Sequence, residues 1–315
     1  MQDERLAAGP PEIRRVPPKA RAVLQQGIVH PLPSGGALRV EGPPGAPGLL
    51  LLHGVGGGAW SWRPQRESLA RDFRLYTWEA RGHGAAGRVA DAGLGDYYKD
   101  AREGLAASVA DLGAPAAVVG HSMGGLLAMA LAADEPEQVS GLFLIDPVYA
   151  NGEDARRHHP PGLGWLLAAV ATPLAVSMER DGALSRGLGR WLFSRSFENQ
   201  LNMERAWLDQ RTQVPLEFPR MLREAFEGPE GFDVRDFALE IGCPTYVLEG
   251  SSGKRRARFP QLVSTLGARL GERFTYEAIA GGHYLQLDRP EAVTGRLRAF
   301  LERYAGVAEA AAGVA

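Results

Sequence analysis

The run Gly120-His121-Ser122-Met123-Gly124-Gly125 constrains this chain more than any other feature. It joins the apolar stretch 116–120 directly to a helix-forming stretch over 123–133. A strand that turns straight into a helix has no loop in which to spread the bend. The backbone is strained there, and the flanking positions must be small. Gly120, Gly124 and Gly125 meet that need. Such a turn lifts the serine hydroxyl over the carboxyl edge of a sheet, where open α/β sheets bind ligands. The following helix points its N-terminus at the same place and favours negative charge there. In this setting Ser122 reads as a nucleophile rather than as part of a glycine-rich helix start.

The rest of the chain supplies the sheet that such a turn requires. Residues 27–31 and 37–41 read as a hairpin about Pro33-Ser34-Gly35-Gly36. Short apolar runs at 48–52, 73–78, 116–120 and 141–145 read as strands, several of them buried on both faces. Helical stretches at 62–71, 97–112 and 123–133 fall between them, the second capped by Asp96. This alternation predicts an α/β fold with a mostly parallel sheet covered on both faces by helices. The pattern then breaks. Residues 148–236 show no clear buried strand and are rich in Trp, Phe, Arg, Pro and Gly. Strands resume at 245–248 and 273–279, and a helix closes the core over 289–304. The expected organisation is therefore an N-terminal arm (1–26), a core (27–147 and 237–304), an inserted helical cap (148–236) and a frayed tail (305–315).

Composition sets outer bounds. The 315 residues carry 45% apolar and 23% charged side chains, with a net charge of −2. Neither extreme of charge is reached, which argues against a general nucleic-acid or anionic-membrane binder. Cys243 is the only cysteine, so an internal disulfide and a cysteine-based metal site are both excluded. No stretch approaches the roughly 20 apolar residues that span a bilayer. Residues 1–26 are charged and proline-rich, without the apolar core of a secretory signal, and the expected location is cytoplasmic.

A serine that attacks a carbonyl needs two backbone N–H donors already in place for the oxyanion. Met123, just after the serine, should supply one. The glycine-rich loop His53-Gly54-Val55-Gly56-Gly57-Gly58, which follows the strand at 48–52, should supply the other through Val55. His53 itself is expected to brace that loop. Together with Arg81-Gly82-His83-Gly84, Leu144-Ile145-Asp146-Pro147 and Gly282-His283, these pieces make residues 28–304 resemble the α/β-hydrolase superfamily. The resemblance implies a serine hydrolase with a helical cap, and a structural role for the 81–84 loop.

It also implies a base at His283, on a loop between the last strand and the last helix. A serine needs such a partner of near-neutral pKa. His30, His121, His158 and His159 are weaker candidates. The His158-His159 pair has no third ligand spaced to complete a metal site, and no cofactor is expected. The acid departs from the family pattern. That pattern places a carboxylate about three residues past a glycine after the seventh strand, but here the segment reads Glu249-Gly250-Ser251-Ser252-Gly253-Lys254. Asp146, at the end of the sixth strand, is the first alternative. Glu249 is the second, and a serine hydroxyl at 251 or 252 the third.

A small-molecule substrate is expected, held under the cap. Trp165, Trp191 and Trp207 are candidate binding residues that could equally pack between cap helices, and Trp60 and Trp62, just after the glycine-rich loop at 53–58, are near enough to touch substrate. The basic run 254–258 could dock an anionic carrier arm or belong to a solvated surface. The expected chemistry is cleavage of an ester or thioester of a moderately large apolar molecule through an acyl-enzyme. The alternatives are a lyase or cyclase of specialised metabolism using His283 as base, and a non-catalytic receptor.

Overall fold

The computed structural model describes residues 27–87, 92–147, 234–251 and 260–312. The arm 1–26, nearly all of the span read as a cap, the basic run 254–258, and Trp165, Trp191 and Trp207 lie outside the described residues.

Eight strands form one sheet: β1 (Val29–Pro31), β2 (Ala37–Glu41), β3 (Gly48–Leu52), β4 (Arg74–Glu79), β5 (Ala116–His121), β6 (Val139–Ile145), β7 (Thr245–Gly250) and β8 (Phe274–Ile279). Their order is β1-β2-β4-β3-β5-β6-β7-β8. The hairpin β1–β2 adds antiparallel to β4, and every pairing beyond that is parallel. The helices are α1 (Arg63–Leu69), α2 (Leu94–Leu112), α3 (Met123–Asp134), α4 (Val234–Glu240), α5 (Pro260–Leu270), α6 (Leu285–Asp288) and α7 (Pro290–Ala312).

The strands read as continuous apolar runs because both faces of the sheet are covered. Their side chains alternate between two cores with the strand's period of two. Leu50, Leu52, Val118, Leu142 and Leu144 join one core, with Leu105 of α2, Leu127 of α3 and Leu266 of α5. Leu49, Leu51, Val119, Phe143 and Ile145 join the other, with Leu69 of α1 and Leu297 of α7. In register, Leu52 lies opposite Gly120, His121 opposite Ile145, and Ile145 opposite Leu248. The carboxyl ends of β3, β5, β6 and β7 therefore finish along one edge, and the loops that leave them gather there.

Several elements differ from the sequence expectation. Helix α2 starts at Leu94, and Asp96 lies inside its first turn. There its carboxylate accepts a hydrogen bond from Gly93 N–H at 3.1 Å, so it caps the helix start from the third helical position and not as the N-cap residue itself. Helix α5 was not anticipated. Its Leu262, Leu266 and Leu270 recur every four residues and all face the core. Helix α4 begins inside the span 148–236 and crosses its boundary; its Ala238 is buried in the core shared with α3. Helix α7 continues to Ala312, well into the stretch expected to fray. The alanines there favour helix more than the low complexity suggests.

Candidate active site

Ser122 sits at the turn between β5 and α3 with φ 54° and ψ −119°, a conformation L-residues rarely adopt. The glycines around it have no room for side chains. A Cβ at Gly120 would lie 2.3 Å from the Gly124 carbonyl oxygen, one at Gly124 would lie 2.1 Å from the Leu52 oxygen, and one at Gly125 would lie 2.6 Å from Pro147 Cβ. The packing of β3, α3 and the end of β6 against the turn over-determines its strained geometry.

His283 lies between β8 and α6, and its Nε2 is 2.9 Å from Ser122 Oγ. The other ring nitrogen, Nδ1, hydrogen-bonds Asp146 Oδ2. Asp146, one residue past β6, is buried and also has a positive φ, 39°. Two backbone contacts fix it. Its N–H donates to Leu248 O at 2.7 Å, and Gly250 N–H donates to Oδ1 at 3.3 Å. The seventh strand thus contributes a backbone donor to a carboxylate carried by the sixth. His121, next to the serine, donates from Nε2 to the His283 carbonyl at 2.9 Å, and its ring lies tilted against that of Tyr284, with centroids 4.8 Å apart. Burial pushes the His121 pKa down to about 3, so this ring stays neutral beside His283.

The loop after β3 passes close to the serine: a Cβ on Gly54 would lie 2.8 Å from Ser122 Cβ. Three amides in and just after it already have partners. Gly57 N–H donates to Gly54 O, Gly56 N–H to His83 Nε2 and Ala59 N–H to Glu79 Oε1. Among the described residues the Val55 N–H makes no hydrogen bond. Met123 is the first residue of α3, so its N–H has no acceptor within the helix. His53 braces the loop, with Nδ1–H donating to Gly54 O at 2.7 Å and Nε2 accepting from Ala80 N–H at 3.1 Å. Burial lowers its pKa well below the ordinary range.

The structure thus brings together Ser122, His283, Asp146, Val55 and Met123. Glu249, the second candidate acid, is buried and accepts from Tyr276 OH at 3.0 Å. Its Oε2 is thereby directed toward β8, and no hydrogen bond joins Glu249 to His283 among the described residues. Trp62 must be corrected: it is fully buried in the core with Leu49, Leu51 and Phe143, so it is packing and does not line the site. Its helical turn rolls it inward, while Trp60 two residues earlier clusters with Tyr284 and Leu287 beside the His283 loop. Sequence reasoning missed Glu79 and the Gly250 amide. A buried acid ending an apolar strand was a signal for the first; a backbone donor leaves none for the second. Among the described residues no cluster of side chains could hold a metal, and no helix is long and apolar enough to cross a membrane.

The profile of the alpha/beta hydrolase family matches residues 49–296, most of the chain. The chain belongs to that family. A curated relative, (E)-2-((N-methylformamido)methylene)succinate hydrolase of Acinetobacter baylyi, is 26% identical over 272 residues, covering 83% of this chain and 91% of the relative. Among solved structures, the enol-lactonase of Burkholderia xenovorans superposes with a TM-score of 0.63 at 22% identity, covering 87% of this chain and 100% of that one. A thermophilic esterase from Thermogutta terrifontis gives a TM-score of 0.64 at 21% identity, covering 89% and 99%. At these identities the two superpositions speak to the fold. The family and its hydrolase relatives support a hydrolase built on this alpha/beta scaffold.

Proposed function

We propose that this protein is a serine hydrolase that cleaves an ester or thioester of a moderately large apolar small molecule through an acyl-enzyme. The observation that carries the reading is the unbroken hydrogen-bonded chain from Ser122 Oγ through His283 to Asp146. Asp146 holds the proton of His283 on Nδ1, which leaves Nε2 free to take the serine proton. As Oγ bonds to the carbonyl carbon, the carbonyl oxygen becomes an oxyanion. The amides of Val55 and Met123 hold it. The intermediate collapses, the His283 proton goes to the departing alcohol or thiol, and the acyl group remains on Oγ. Water, deprotonated by His283, attacks the acyl carbon; the bond to Oγ breaks, His283 returns the proton to Oγ, and the acid is released. Trp60, Tyr284 and Leu287 supply apolar surface beside the histidine, which suits an apolar substrate.

The family and the named relatives favour hydrolysis over a lyase, a cyclase or a non-catalytic receptor. The test is labelling with a fluorophosphonate and turnover of short p-nitrophenyl esters, comparing wild type with Ser122→Ala. Wild-type labelling and turnover, both lost in the variant, support the proposal. Labelling without ester turnover would redirect it to a lyase, cyclase or acyltransferase. Absence of labelling would leave a receptor.

A further inference from the structure

The oxyanion loop is held by side chains from the end of β4 and the turn after it. Gly56 N–H donates to His83 Nε2 at 3.2 Å, and Ala59 N–H donates to Glu79 Oε1 at 3.2 Å. Glu79 Oε2 accepts from Ala85 N–H at 3.3 Å, so one buried carboxylate ties the loop after β3 to the turn after β4. That turn closes tightly around it: Gly84 has φ 50°, and a Cβ there would lie 2.0 Å from Glu79 Oε1.

The turn is anchored from behind. The Arg81 guanidinium donates to both oxygens of Asp100 on α2, Nε at 2.8 Å and Nη2 at 2.6 Å, and its backbone N–H also donates to Asp100 at 3.2 Å. The Arg81 carbonyl then accepts from His83 Nδ1–H at 3.1 Å. This contact selects the tautomer. A backbone N–H can only donate, so a ring that gives its one proton to Arg81 must present a bare Nε2 to Gly56. Complete burial keeps that ring neutral, with its pKa pushed down to about 4. A line of fixed contacts runs from Asp100 through Arg81 and His83 to Gly56, the residue next to Val55.

We infer that His83 and Glu79 are positioning residues for the oxyanion hole: by engaging the Gly56 and Ala59 amides, they fix the loop so that the Val55 N–H is left for the substrate. The inference rests on the serine-hydrolase reading, since it assigns a use to the Val55 donor. His53 Nδ1–H holds the Gly54 carbonyl, which shares a peptide with the Val55 N–H, while His83 holds the next amide at Gly56 and Glu79 the one at Ala59. The Val55 amide is thus fixed on both sides, and a donor displaced by about 1 Å loses much of its effect on a developing oxyanion.

The test uses the full chain with His83→Phe, which keeps a flat ring and removes the acceptor, and Glu79→Gln, which keeps one acceptor of two. With p-nitrophenyl esters, His83→Phe should lower kcat on the order of 10- to 100-fold while KM moves less than about twofold, because the loop acts on the oxyanion more than on the bound ester. Glu79→Gln should lose less. An aryl trifluoromethyl ketone, which forms an oxyanion on Ser122, should weaken by the same factor as kcat, while the corresponding alcohol binds as before. A purely structural role would lower the melting temperature and leave that pair of affinities in proportion. A folded His83→Phe with wild-type kcat would overturn the inference while leaving the serine reading intact. Turnover surviving in Ser122→Ala would instead overturn the serine reading. Imidazole nitrogen NMR on the wild-type protein needs no variant to fold: Nδ1 protonated and Nε2 bare at His83 supports the inference, and the opposite tautomer sinks it.

Discussion

Replacing Asp146 by Asn changes one oxygen for an NH2 group, and the surroundings dictate which way the amide must face. The Gly250 N–H, at 3.3 Å from Oδ1, can only donate, so the remaining oxygen must stay toward it. That turns the NH2 group toward His283 Nδ1, where wild type has a carboxylate oxygen. The ring must then accept at Nδ1 and carry its proton on Nε2. In that tautomer it cannot accept the proton of Ser122. Restoring the useful tautomer sets two N–H groups against each other, leaving buried donors unsatisfied at a cost of about 1–3 kcal/mol. The imidazolium that forms during attack also loses its counter-charge, worth about 4 kcal/mol at an effective dielectric near 20 and a separation near 4 Å. Together these come to about 5–7 kcal/mol, or a loss on the order of 10⁴- to 10⁵-fold in kcat. Protease triads lose on the order of 10⁴-fold in the corresponding change.

The assay is steady-state hydrolysis of p-nitrophenyl esters by wild type, Asp146→Asn and Glu249→Gln, with fluorophosphonate labelling rates measured in parallel. Glu249→Gln should stay within about threefold of wild type, because the amide oxygen can still accept from Tyr276 and no hydrogen bond ties Glu249 to His283. An Asp146→Asn enzyme within tenfold of wild type would refute the tautomer argument. If Glu249→Gln collapsed instead, the orienting carboxylate would belong to β7.

Acid should destabilise the fold over a defined range. Unfolded, a histidine binds a proton below about 6.5, whereas His83 resists until about 4 and His121 until about 3, and His53 is lowered as well, all chiefly by burial. The unfolded chain holds more protons between those values, so this stability is complete above about pH 6.5. It falls on acidification by up to about 1.4 kcal/mol per pH unit for each ring. Denaturant midpoints at pH 7.5 and 5 should therefore differ widely, and equal midpoints would contradict the buried neutral rings. At the Ser122 turn, Gly124→Ala should abolish folding or lower the melting temperature sharply, since its Cβ meets the Leu52 carbonyl at 2.1 Å. Gly95→Ala, in the first turn of α2 with nothing within 4 Å, should be neutral or stabilise by up to about 1 kcal/mol; the reverse order would discredit the packing at the elbow. Asp111→Ala should cost about 3 kcal/mol by breaking the buried pair with Arg74, read as a lower denaturant midpoint with esterase turnover unchanged.

What the sequence made legible and what it hid divide along a physical line. Ser122 was legible because a strand-to-helix elbow imposes glycine at fixed offsets, and steric exclusion leaves a mark in the residue types themselves. The central strands were legible because burial on both faces demands unbroken apolar runs. His283 and Asp146 needed the resemblance to a family, because their pairing spans 137 residues and depends on the ends of β6 and β8 meeting at one edge of the sheet. Trp60 and Trp62 carry the same side chain two residues apart, yet one lies beside the His283 loop and the other in the core; only the roll of a short helical turn separates them. Hardest to read were the contacts made by main-chain atoms. Any residue at 250 other than proline offers the N–H that Asp146 uses, and the same holds at 56 and 59 for His83 and Glu79. The side-chain half of each contact was visible as a residue type, a histidine in a glycine-rich turn or an acid ending an apolar strand, but its purpose was not. In this protein the side chains proposed to do chemistry sit on one side of the loop after β3, and Glu79 and His83, which hold the loop, sit on the other. The first kind can be read from a motif. The second is read only when the backbone between them is in view.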